Sequence, residues 1–212
     1  MQVSKTDLKI YQNDDFIALL DYLKKFSSRI YLVGGCVRDH FLGRASADVD
    51  VELYDVGPHR FEQIMHGFGA QGVGKSYFVY KYKNFDISLP RTESKTGIGH
   101  KGFSVALATD EHEASRRRDF TINAMMIDAI SGKVLDFYGG LADLRARILR
   151  VVDPRTFVED SLRVYRAVQF AARFKLRAEP RTLELMRSID VSDLSCERVK
   201  AELIKFFRAP AH

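Results

Sequence analysis

Apolar residues repeat at helical spacing over residues 13–26, and an asparagine at the start of this stretch can cap the helix. A β-rich run over residues 29–33 follows and stops at two consecutive glycines, Gly34 and Gly35. A short helical stretch then ends at Gly43. The pattern therefore predicts the order helix, strand, glycine turn and helix.

Acidic and apolar side chains alternate over residues 48–53, which predicts a strand over residues 48–54 with one acidic face carrying Asp48, Asp50 and Glu52. Carboxylates at positions i and i+2 of a strand point the same way and can hold divalent metals through their oxygens. We predict that Asp48 and Asp50 bind two Mg²⁺ ions, which would activate an attacking hydroxyl and neutralise a leaving pyrophosphate. For an isolated Asp-x-Asp, a solvated acidic face is the alternative.

The glycine turn lies thirteen residues before Asp48 and favours the metal site over that alternative. Gly34 and Gly35 allow backbone amides to approach a triphosphate closely. Arg38 follows one helical turn later, where its guanidinium can pair with phosphate. We expect these three residues to bind a nucleotide.

The rest of the pattern predicts a mixed head followed by helices. The expected elements are a helix over 58–68, two strands within 77–89, a mobile basic loop over 92–103, a helix over 114–130 and a strand over 134–137. From about Val151 the strand signal stops, and helices begin near Pro180 and Ser195. We predict an α+β head, with a small mixed sheet flanked by helices, over residues 1–150 and an all-α neck over residues 151–212.

Composition excludes several classes of protein. The chain has 212 residues, of which 46% are hydrophobic and 29% charged, so it is not disordered or of low complexity. Without a run of about 18 apolar residues or a secretory signal, we expect a cytoplasmic protein with no membrane partner. Cys36 and Cys196 suit reduced thiols better than a disulfide framework, without excluding a disulfide. The net charge of +5 permits a polyanionic partner.

Six sequence blocks follow one another between residues 31 and 205. They are LVGGCVRD (32–39) with LG (42–43) and DVD (48–50), LPRTE (89–93) with GIGHKGF (97–103), RRRDFTINA (116–124), DFYGG (136–140) with DL (143–144), EDSLR (159–163) with RA (166–167), and ERVKAELIK (197–205). In this order the blocks resemble the motifs of the class II, or bacterial-type, tRNA nucleotidyltransferase and poly(A) polymerase family. The resemblance implies a nucleotidyltransferase head followed by a helical neck.

The resemblance also implies roles for single residues. It implies that triphosphate and magnesium are bound by Gly35, Arg38, Asp48 and Asp50. Asp86 falls where a third catalytic acid of the superfamily often lies, although an aspartate beside a turn is common for structural reasons. Arg118 matches an arginine that contacts the nucleotide, with a surface cation on a basic helix as the alternative.

Residues 159–166 are predicted to select the base. At helical spacing, Asp160, Arg163 and Arg166 form a polar stripe opposite an apolar arc of Val164, Tyr165, Val168, Ala171 and Ala172. A carboxylate and a guanidinium in fixed register can hydrogen-bond the edge of a base, and the resemblance implies that this pair selects CTP and ATP without a template. The alternative is an ion pair on a solvated helix face. Gln169 stands where the family often has arginine, which puts one nucleotide contact in doubt.

The activity implied by the resemblance is magnesium-dependent, template-independent addition of CMP and AMP, from CTP and ATP, to the 3′ end of tRNA. This addition builds or repairs the CCA end, or adds only CC or only A. A poly(A) polymerase acting on other RNA 3′ ends is the alternative within the family. The blocks over residues 89–103 look more like those of CCA-adding relatives. A catalytically idle RNA-binding module is the alternative of another class, against which the intact acidic pair argues.

Family members continue beyond the neck with body and tail regions that grip the tRNA. We therefore expect this chain to be a fragment, a shortened form or an unusually compact member. The sequence does not indicate an oligomeric state.

Overall fold

The chain folds into two compact units, each built from separate stretches of sequence. The computed structural model describes residues 1–4, 7–73, 78–95 and 103–208. The first unit comprises Met1–Thr92, Val105–Ala114 and Met125–Phe137, and the second comprises Glu93–Ser104, Ser115–Ala124 and Tyr138–His212. The boundary between head and neck at residue 150 stays a prediction.

A mixed sheet of seven strands runs through the first unit. Its strands are β1 (Ile30–Val33), β2 (Val49–Leu53), β3 (Gln71–Gly72), β4 (Val79–Tyr82), β5 (Phe85–Ser88), β8 (Met126–Asp128) and β9 (Val134–Leu135), and a separate two-stranded sheet holds β6 (Arg91–Lys95) and β7 (Phe103–Leu107). The strands lie side by side in the order β3-β4-β5-β2-β1-β8-β9. Within this sheet, β2 and β5 are the only described neighbours that are parallel. The predicted small mixed sheet is confirmed.

Helices flank this sheet, as the pattern predicts. They are α1 (Asp14–Leu23), α2 (Gly35–Phe41), α3 (Pro58–Phe68) and α4 (Glu111–Arg116), with a 3-10 helix at Lys9–Gln12. The side chain of Asn13 accepts a hydrogen bond from the backbone N–H of Phe16 at 3.1 Å, which caps α1 as expected. The ring of Phe16 lies 6.0 Å from that of Phe85 on β5, so α1 packs on the sheet through its apolar face.

The second unit is mainly helical. It contains a 3-10 helix at Thr121–Asn123, α5 (Gly140–Ala146), β10 (Ile148–Leu149), α6 (Pro154–Phe157), α7 (Leu162–Phe174), β11 (Arg177–Ala178), α8 (Pro180–Arg187) and α9 (Cys196–Phe207). The ring of Phe120 packs edge-on against Phe157 at 5.4 Å and Phe170 at 5.8 Å between centroids. All three rings are buried, so they form the core of this unit.

The predicted helix over residues 114–130 is wrong. The structure ends α4 at Arg116, turns through the 3-10 helix and begins β8 at Met126. Two physical causes explain the difference. Asp119 accepts a hydrogen bond from the backbone N–H of Phe120 at 2.8 Å, which competes with a continuous helix. The following apolar run fits a strand buried on both faces, and its pairing with β1 decides between the two structures.

Two further expectations about the neck need correction. Strand structure does not stop at residue 151, because β11 pairs in parallel with β10. The predicted apolar arc of α7 is also wrong, since the helix buries Ala167, Gln169, Phe170 and Phe174 and leaves Val168 48% exposed. Phe170 and Phe174 lie one turn apart on α7 and supply most of the apolar area of this helix. The face that carries them is therefore the buried one.

The predicted mobile basic loop over residues 92–103 can be compared only at its ends. Its two ends belong to β6 and β7, where the pattern predicted a loop. The positions that suggested mobility and charge, Gly97, Gly99, His100, Lys101 and Gly102, lie outside the described residues.

Substitutions at two glycines distinguish the loss of stability caused by backbone strain from the loss caused by a steric clash. Gly43 and Gly132 have φ angles of 68° and 75°, in the left-handed region. A Cβ at Gly132 would lie 2.3 Å from the carbonyl oxygen of Val3, whereas a Cβ at Gly43 meets nothing within 4 Å. We expect Gly43→Ala to lower the free energy of unfolding by about 1 kcal/mol and Gly132→Ala by at least about 2 kcal/mol. Urea denaturation measures both, and equal losses would contradict the clash.

Candidate active site

One face of the sheet collects carboxylates from different strands. In the parallel pairing of β2 with β5, Asp50 lies opposite Asp86. Residues opposite each other share a face of the sheet, on strands about 4.8 Å apart. Asp48 lies immediately before β2 begins. The structure thus brings the predicted carboxylates Asp50 and Asp86 together, and a contact through Lys81 adds Asp48.

Lys81 connects two of these carboxylates. Its ammonium nitrogen lies 3.4 Å from Oδ1 of Asp86 and 3.9 Å from Oδ1 of Asp48. Lys81 is opposite Asp86 in the register of β4 and β5, so backbone pairing sets its position. The sequence analysis missed this residue. A two-residue turn at Lys83 and Asn84 joins the two strands, and that turn could have indicated the register.

The glycine turn lies at the same end of the sheet. Gly34 has φ 71° and ψ −131°, a backbone conformation that favours glycine. The residue before it, Val33, is opposite Asp50 in the pairing of β1 with β2, so the turn starts beside the carboxylate. A Cβ at Gly35 would lie 3.5 Å from Nη2 of Arg38. The structure therefore brings Gly34, Gly35 and Arg38 together, as predicted.

Arg38, whose guanidinium is predicted to pair with phosphate, contacts a neighbouring carboxylate in the structure. Its Nε and Nη2 donate to Oδ1 of Asp39 at 2.9 and 2.8 Å. Both side chains are buried, at 6% and 7% exposure. The pair fixes the guanidinium beside the glycine turn, and the sequence analysis did not identify Asp39 as its partner.

In the second unit, Asp119 and Arg166 form an ion pair. Nε and Nη2 of Arg166 lie 2.8 and 2.7 Å from Oδ2 of Asp119, while Asn123 donates to Oδ1 at 2.9 Å. Burial alone would raise the pKa of Asp119, but the charge of Arg166 and the hydrogen bond from Asn123 lower it to about 2. Arg166 was predicted to face a nucleotide, and the structure shows that it also holds a buried carboxylate.

Asp160 lies before helix α7 rather than on it, which corrects the predicted helical stripe. Its Oδ1 accepts hydrogen bonds from the backbone N–H of Leu162 at 3.2 Å and from Nη2 of Arg198 at 3.1 Å. The alternative of an ion pair between Asp160 and Arg163 is replaced by the ion pair with Arg198 on α9. The α9 block gives no sign of this contact in the sequence, because the contact joins residues 38 positions apart.

Arg163 and Arg118 are both partly buried. Arg163 donates from Nη1 to the carbonyl oxygen of Thr156 at 3.0 Å and from Nη2 to that of Arg117 at 2.7 Å. Arg118 immediately precedes the buried Asp119 in the chain, after α4 has ended. Backbone carbonyls therefore fix the guanidinium of Arg163 next to the segment that carries Arg118.

Two buried polar atoms lie on the facing helices α7 and α9. Nε2 of Gln169 and Oε2 of Glu202 have no hydrogen-bond partner within the described part of the chain. Gln169 is 1% exposed and Glu202 is 5% exposed. Gln169, where the family often has arginine, is thus a buried side chain in this protein rather than an exposed ligand contact.

The donor set on the sheet fits magnesium only with help from a substrate. Among the described residues, no three His, Cys, Asp or Glu side chains converge closely enough to hold a metal alone. Magnesium usually takes one or two protein carboxylates and completes its shell with water and phosphate oxygens. Asp48 and Asp86 already share a cation, the ammonium of Lys81, so this place in the fold accepts positive charge.

Comparison with protein families and curated relatives gives consistent matches. Residues 30–150 match the family described as poly A polymerase head domain. A multifunctional CCA protein of Stenotrophomonas maltophilia is 41% identical over 186 residues, which are 84% of this chain and 45% of the relative. The corresponding protein of Dechloromonas aromatica is 42% identical over 186 residues, with 84% and 44% covered. The chain spans about half the length of these relatives.

Solved structures agree with the sequence matches. The Bacillus stearothermophilus CCA-adding enzyme in complex with CTP is similar with a TM-score of 0.77 and 30% identity, covering 92% of this chain and 48% of that one. The Thermotoga maritima CCA-adding enzyme complexed with tRNA has a TM-score of 0.78 and 26% identity, covering 100% and 51%. These matches confirm the predicted fold and the resemblance first indicated by the motifs.

The ion pair of Asp119 predicts a loss of stability in acid. Its pKa is about 2 in the folded protein, against an ordinary value of 3.8. Ionisation of this group therefore stabilises the fold above pH 3.8, and that contribution is lost as the pH falls towards 2. The contribution is about 2 kcal/mol. Urea denaturation at several pH values measures it.

Asp119→Asn tests the assignment of this titration. The variant removes the carboxylate that the guanidinium of Arg166 contacts, so we expect it to be less stable at pH 7 by about 2 kcal/mol or more. Its stability should also fall less steeply between pH 4 and 2 than that of the unmodified protein. Asp21→Asn, on the exposed surface of α1, is the control and should keep the original profile. An unchanged profile in Asp119→Asn would contradict the assignment.

Proposed function

Because the chain belongs to the poly A polymerase head domain family, we propose that it adds CMP and AMP, from CTP and ATP, to the 3′ end of tRNA without a template. The observation that carries this proposal is the sheet register that sets Asp50 between Asp86 and the glycine turn at Gly34. A metal-binding acidic group beside a phosphate-binding turn is what nucleotidyl transfer needs. The names of the relatives, CCA protein and CCA-adding enzyme, support tRNA as the acceptor.

We assign the phosphate and metal chemistry to the first unit. Asp48, Asp50 and Asp86 would hold magnesium, which when bound activates the attacking 3′ hydroxyl and neutralises the charge on the leaving pyrophosphate. The backbone amides around Gly34 and Gly35 would bind the triphosphate, which can approach because no Cβ stands there. The protein itself then needs no nucleophile.

We assign base selection to the second unit. Asp160 offers a carboxylate that Arg198 orients, and Arg163 offers a guanidinium that two backbone carbonyls orient. An acceptor and a donor held in this way can hydrogen-bond the edges of cytosine and adenine. Arg118 and the exposed third of the Arg166 side chain are the remaining cations assigned to the nucleotide.

The name of the matched family favours one other candidate, a poly(A) polymerase acting on other RNA 3′ ends. The two activities share the carboxylates and differ in the acceptor and in where addition stops. Addition of only CC or only A uses the same residues. The products of extension therefore separate these activities.

We propose that the protein works in the cytoplasm. Neither Cys36 nor Cys196 forms a disulfide in the part of the chain that the structure describes, which supports a reducing compartment. Within the described ranges, no helix is both long and apolar enough to cross a membrane.

Extension of tRNA tests the proposed function directly. Three tRNA transcripts, ending before CCA, after C and after CC, are incubated with Mg²⁺ and with CTP, ATP or both, and products are resolved on a gel. We expect addition that stops after CCA. Asp48→Ala and Asp50→Ala should each lower the rate by at least about 100-fold, since each removes a metal ligand.

The control for these variants is Asp21→Ala, an exposed aspartate on α1 that pairs with Lys24. It should extend tRNA like the unmodified protein. A long A tail on any RNA would establish the poly(A) polymerase, whereas equal extension by Asp48→Ala and Asp21→Ala would refute the role of the acidic pair. Metal-independent CTP binding without extension would favour the idle RNA-binding module.

The position of Lys81 predicts that its replacement changes metal affinity, which can be measured without an activity assay. Its ammonium lies where a metal bound by Asp48 and Asp86 would add positive charge, so the two cations compete. At low ionic strength we expect Lys81→Met to bind Mn²⁺ several-fold more tightly, because a unit charge about 4 Å away contributes about 1 kcal/mol in water. Electron paramagnetic resonance of free Mn²⁺ measures the affinity.

Lys83→Met is the matched control. Lys83 is similarly exposed, at 53% against 45% for Lys81, but pairs with Asp15 instead. Its replacement should leave Mn²⁺ affinity unchanged, and added salt should reduce the effect at Lys81. Weaker binding by Lys81→Met would show that the lysine organises the carboxylates rather than competing with the metal.

A further inference from the structure

A surface of the second unit carries clustered positive charge, and the two carboxylates that flank it in the chain, Asp143 and Glu179, both pair with Arg150. Residues 144–149 and 173–178 hold five basic residues and no acidic residue. Four of the five are exposed, and we call them the β10–β11 basic patch: Arg145, Arg147, Lys175 and Arg177. Within the described part of the chain, the side chains of Arg145, Lys175 and Arg177 pair with no carboxylate.

The backbone brings these two segments together. Strands β10 and β11 pair in parallel, with Ile148 opposite Arg177. The backbone N–H of Arg177 donates to the carbonyl oxygen of Arg147 at 2.8 Å. The guanidinium of Arg147 donates to the carbonyl oxygen of Phe174 at 3.1 Å, immediately before Lys175. Residues about 30 positions apart are thus neighbours by main-chain pairing.

Two cations of the patch occupy strained backbone positions. Arg147 ends α5 with φ 58°, and Lys175 ends α7 with φ 54°. Glycine is the usual residue at such left-handed helix ends, and another residue there costs about 1 kcal/mol. The negative end of the helix dipole favours a cation and offsets part of that cost. Arg147 also gains its hydrogen bond to Phe174, whereas Lys175 gains none among the described residues.

We propose that the β10–β11 basic patch binds the phosphate backbone of RNA. Arginine and lysine side chains that lie close together and pair with no carboxylate attract the phosphates of a nucleic-acid chain. A lipid surface fits less well, because none of the large exposed hydrophobic side chains falls within the two segments. The inference rests on the proposed function, which supplies an RNA substrate, and it adds a second place where that RNA is held.

The test removes three charges without adding strain. In the triple variant Arg145→Gln/Lys175→Gly/Arg177→Gln, the glycine suits the left-handed position of residue 175. Binding of a fluorescein-labelled RNA hairpin with a single-stranded 3′ end is followed by anisotropy in EDTA, without nucleotide, over a range of KCl concentrations. We expect the slope of log affinity against log salt to fall by about two to three, and affinity at 0.1 M KCl to fall at least about tenfold.

A second triple variant matches the loss of charge. Arg187→Gln/Lys200→Gln/Arg208→Gln removes three exposed cations from other parts of the same unit. This control should keep the original salt slope. Equal losses in the two triple variants would overturn the proposal, because binding would then follow net charge alone. The patch variant itself should melt within a few degrees of the unmodified protein, which excludes unfolding as the cause.

Two further arms separate this inference from its alternatives and from the proposed function. Vesicles of phosphatidylcholine and phosphatidylserine test a membrane: loss of vesicle binding in the patch variant, with RNA binding unchanged, would overturn the proposal. Asp21→Ala, at an exposed aspartate of α1, should bind the hairpin as the unmodified protein does. If the protein does not extend tRNA but the patch variant binds RNA more weakly than the unmodified protein, the proposed function is refuted and the proposal about the patch is supported. If the protein extends tRNA and the patch variant binds RNA as tightly as the unmodified protein, the proposal about the patch is refuted.

Discussion

The register of β2 between β1 and β5 is the constraint on which the first unit depends. Side chains alternate along a strand, so a slip by one residue would move Asp50 and Glu52 to the opposite face and bring Val51 in their place. The observed register keeps Val49 and Val51 buried and sets Asp50 beside Asp86. The same hydrogen bonds thus determine both the apolar core and the group of carboxylates.

One sheet face serves two purposes because its surroundings change along its length. Towards one end, Glu52 is buried and accepts a hydrogen bond from Tyr54, whose ring packs edge-on against Tyr31. Towards the other end, the face stays open, and Asp48 is 68% exposed. A buried carboxylate such as Glu52, which has a buried hydrogen-bond partner, is part of the folded core. Exposed carboxylates that lie close together repel one another, and a bound cation lowers that repulsion. The open end of the face therefore has an affinity for positive charge.

The two units hold their charges with different strengths. Lys81 touches its carboxylates at 3.4 and 3.9 Å in an exposed setting, where an ion pair contributes about 0–1 kcal/mol. Asp119 is 6% exposed and is bound by Arg166 and Asn123, so its ionised form is part of the structure. The first arrangement can exchange one cation for another, whereas the second keeps a side chain in place. The metal binding proposed for the first unit and the base recognition proposed for the second require these two behaviours.

Local sequence patterns predicted the features that depend on interactions between residues close together in the chain. The cap of α1 at Asn13, the turn at Gly34 and the alternation along β2 depend on neighbours in the chain, and all three were predicted. The helix expected over residues 114–130 was wrong because only pairing with β1 distinguishes a buried strand from a buried helix. Lys81 was missed for a similar reason, since its importance depends on the register of a neighbouring strand.

The predicted base-selecting residues are held by partners that lie outside their own sequence motif. The motif identified Asp160 and Arg163, but their partners come from elsewhere in the chain: Arg198 on α9 and the carbonyl oxygens of Thr156 and Arg117. A side chain that reads a base must hold its direction to well within the width of a hydrogen bond. Because α9 orients Asp160, any change in the packing of α9 on α7 alters the direction of that carboxylate. The proposed selectivity therefore depends on the packing of the two helices and not on the motif alone.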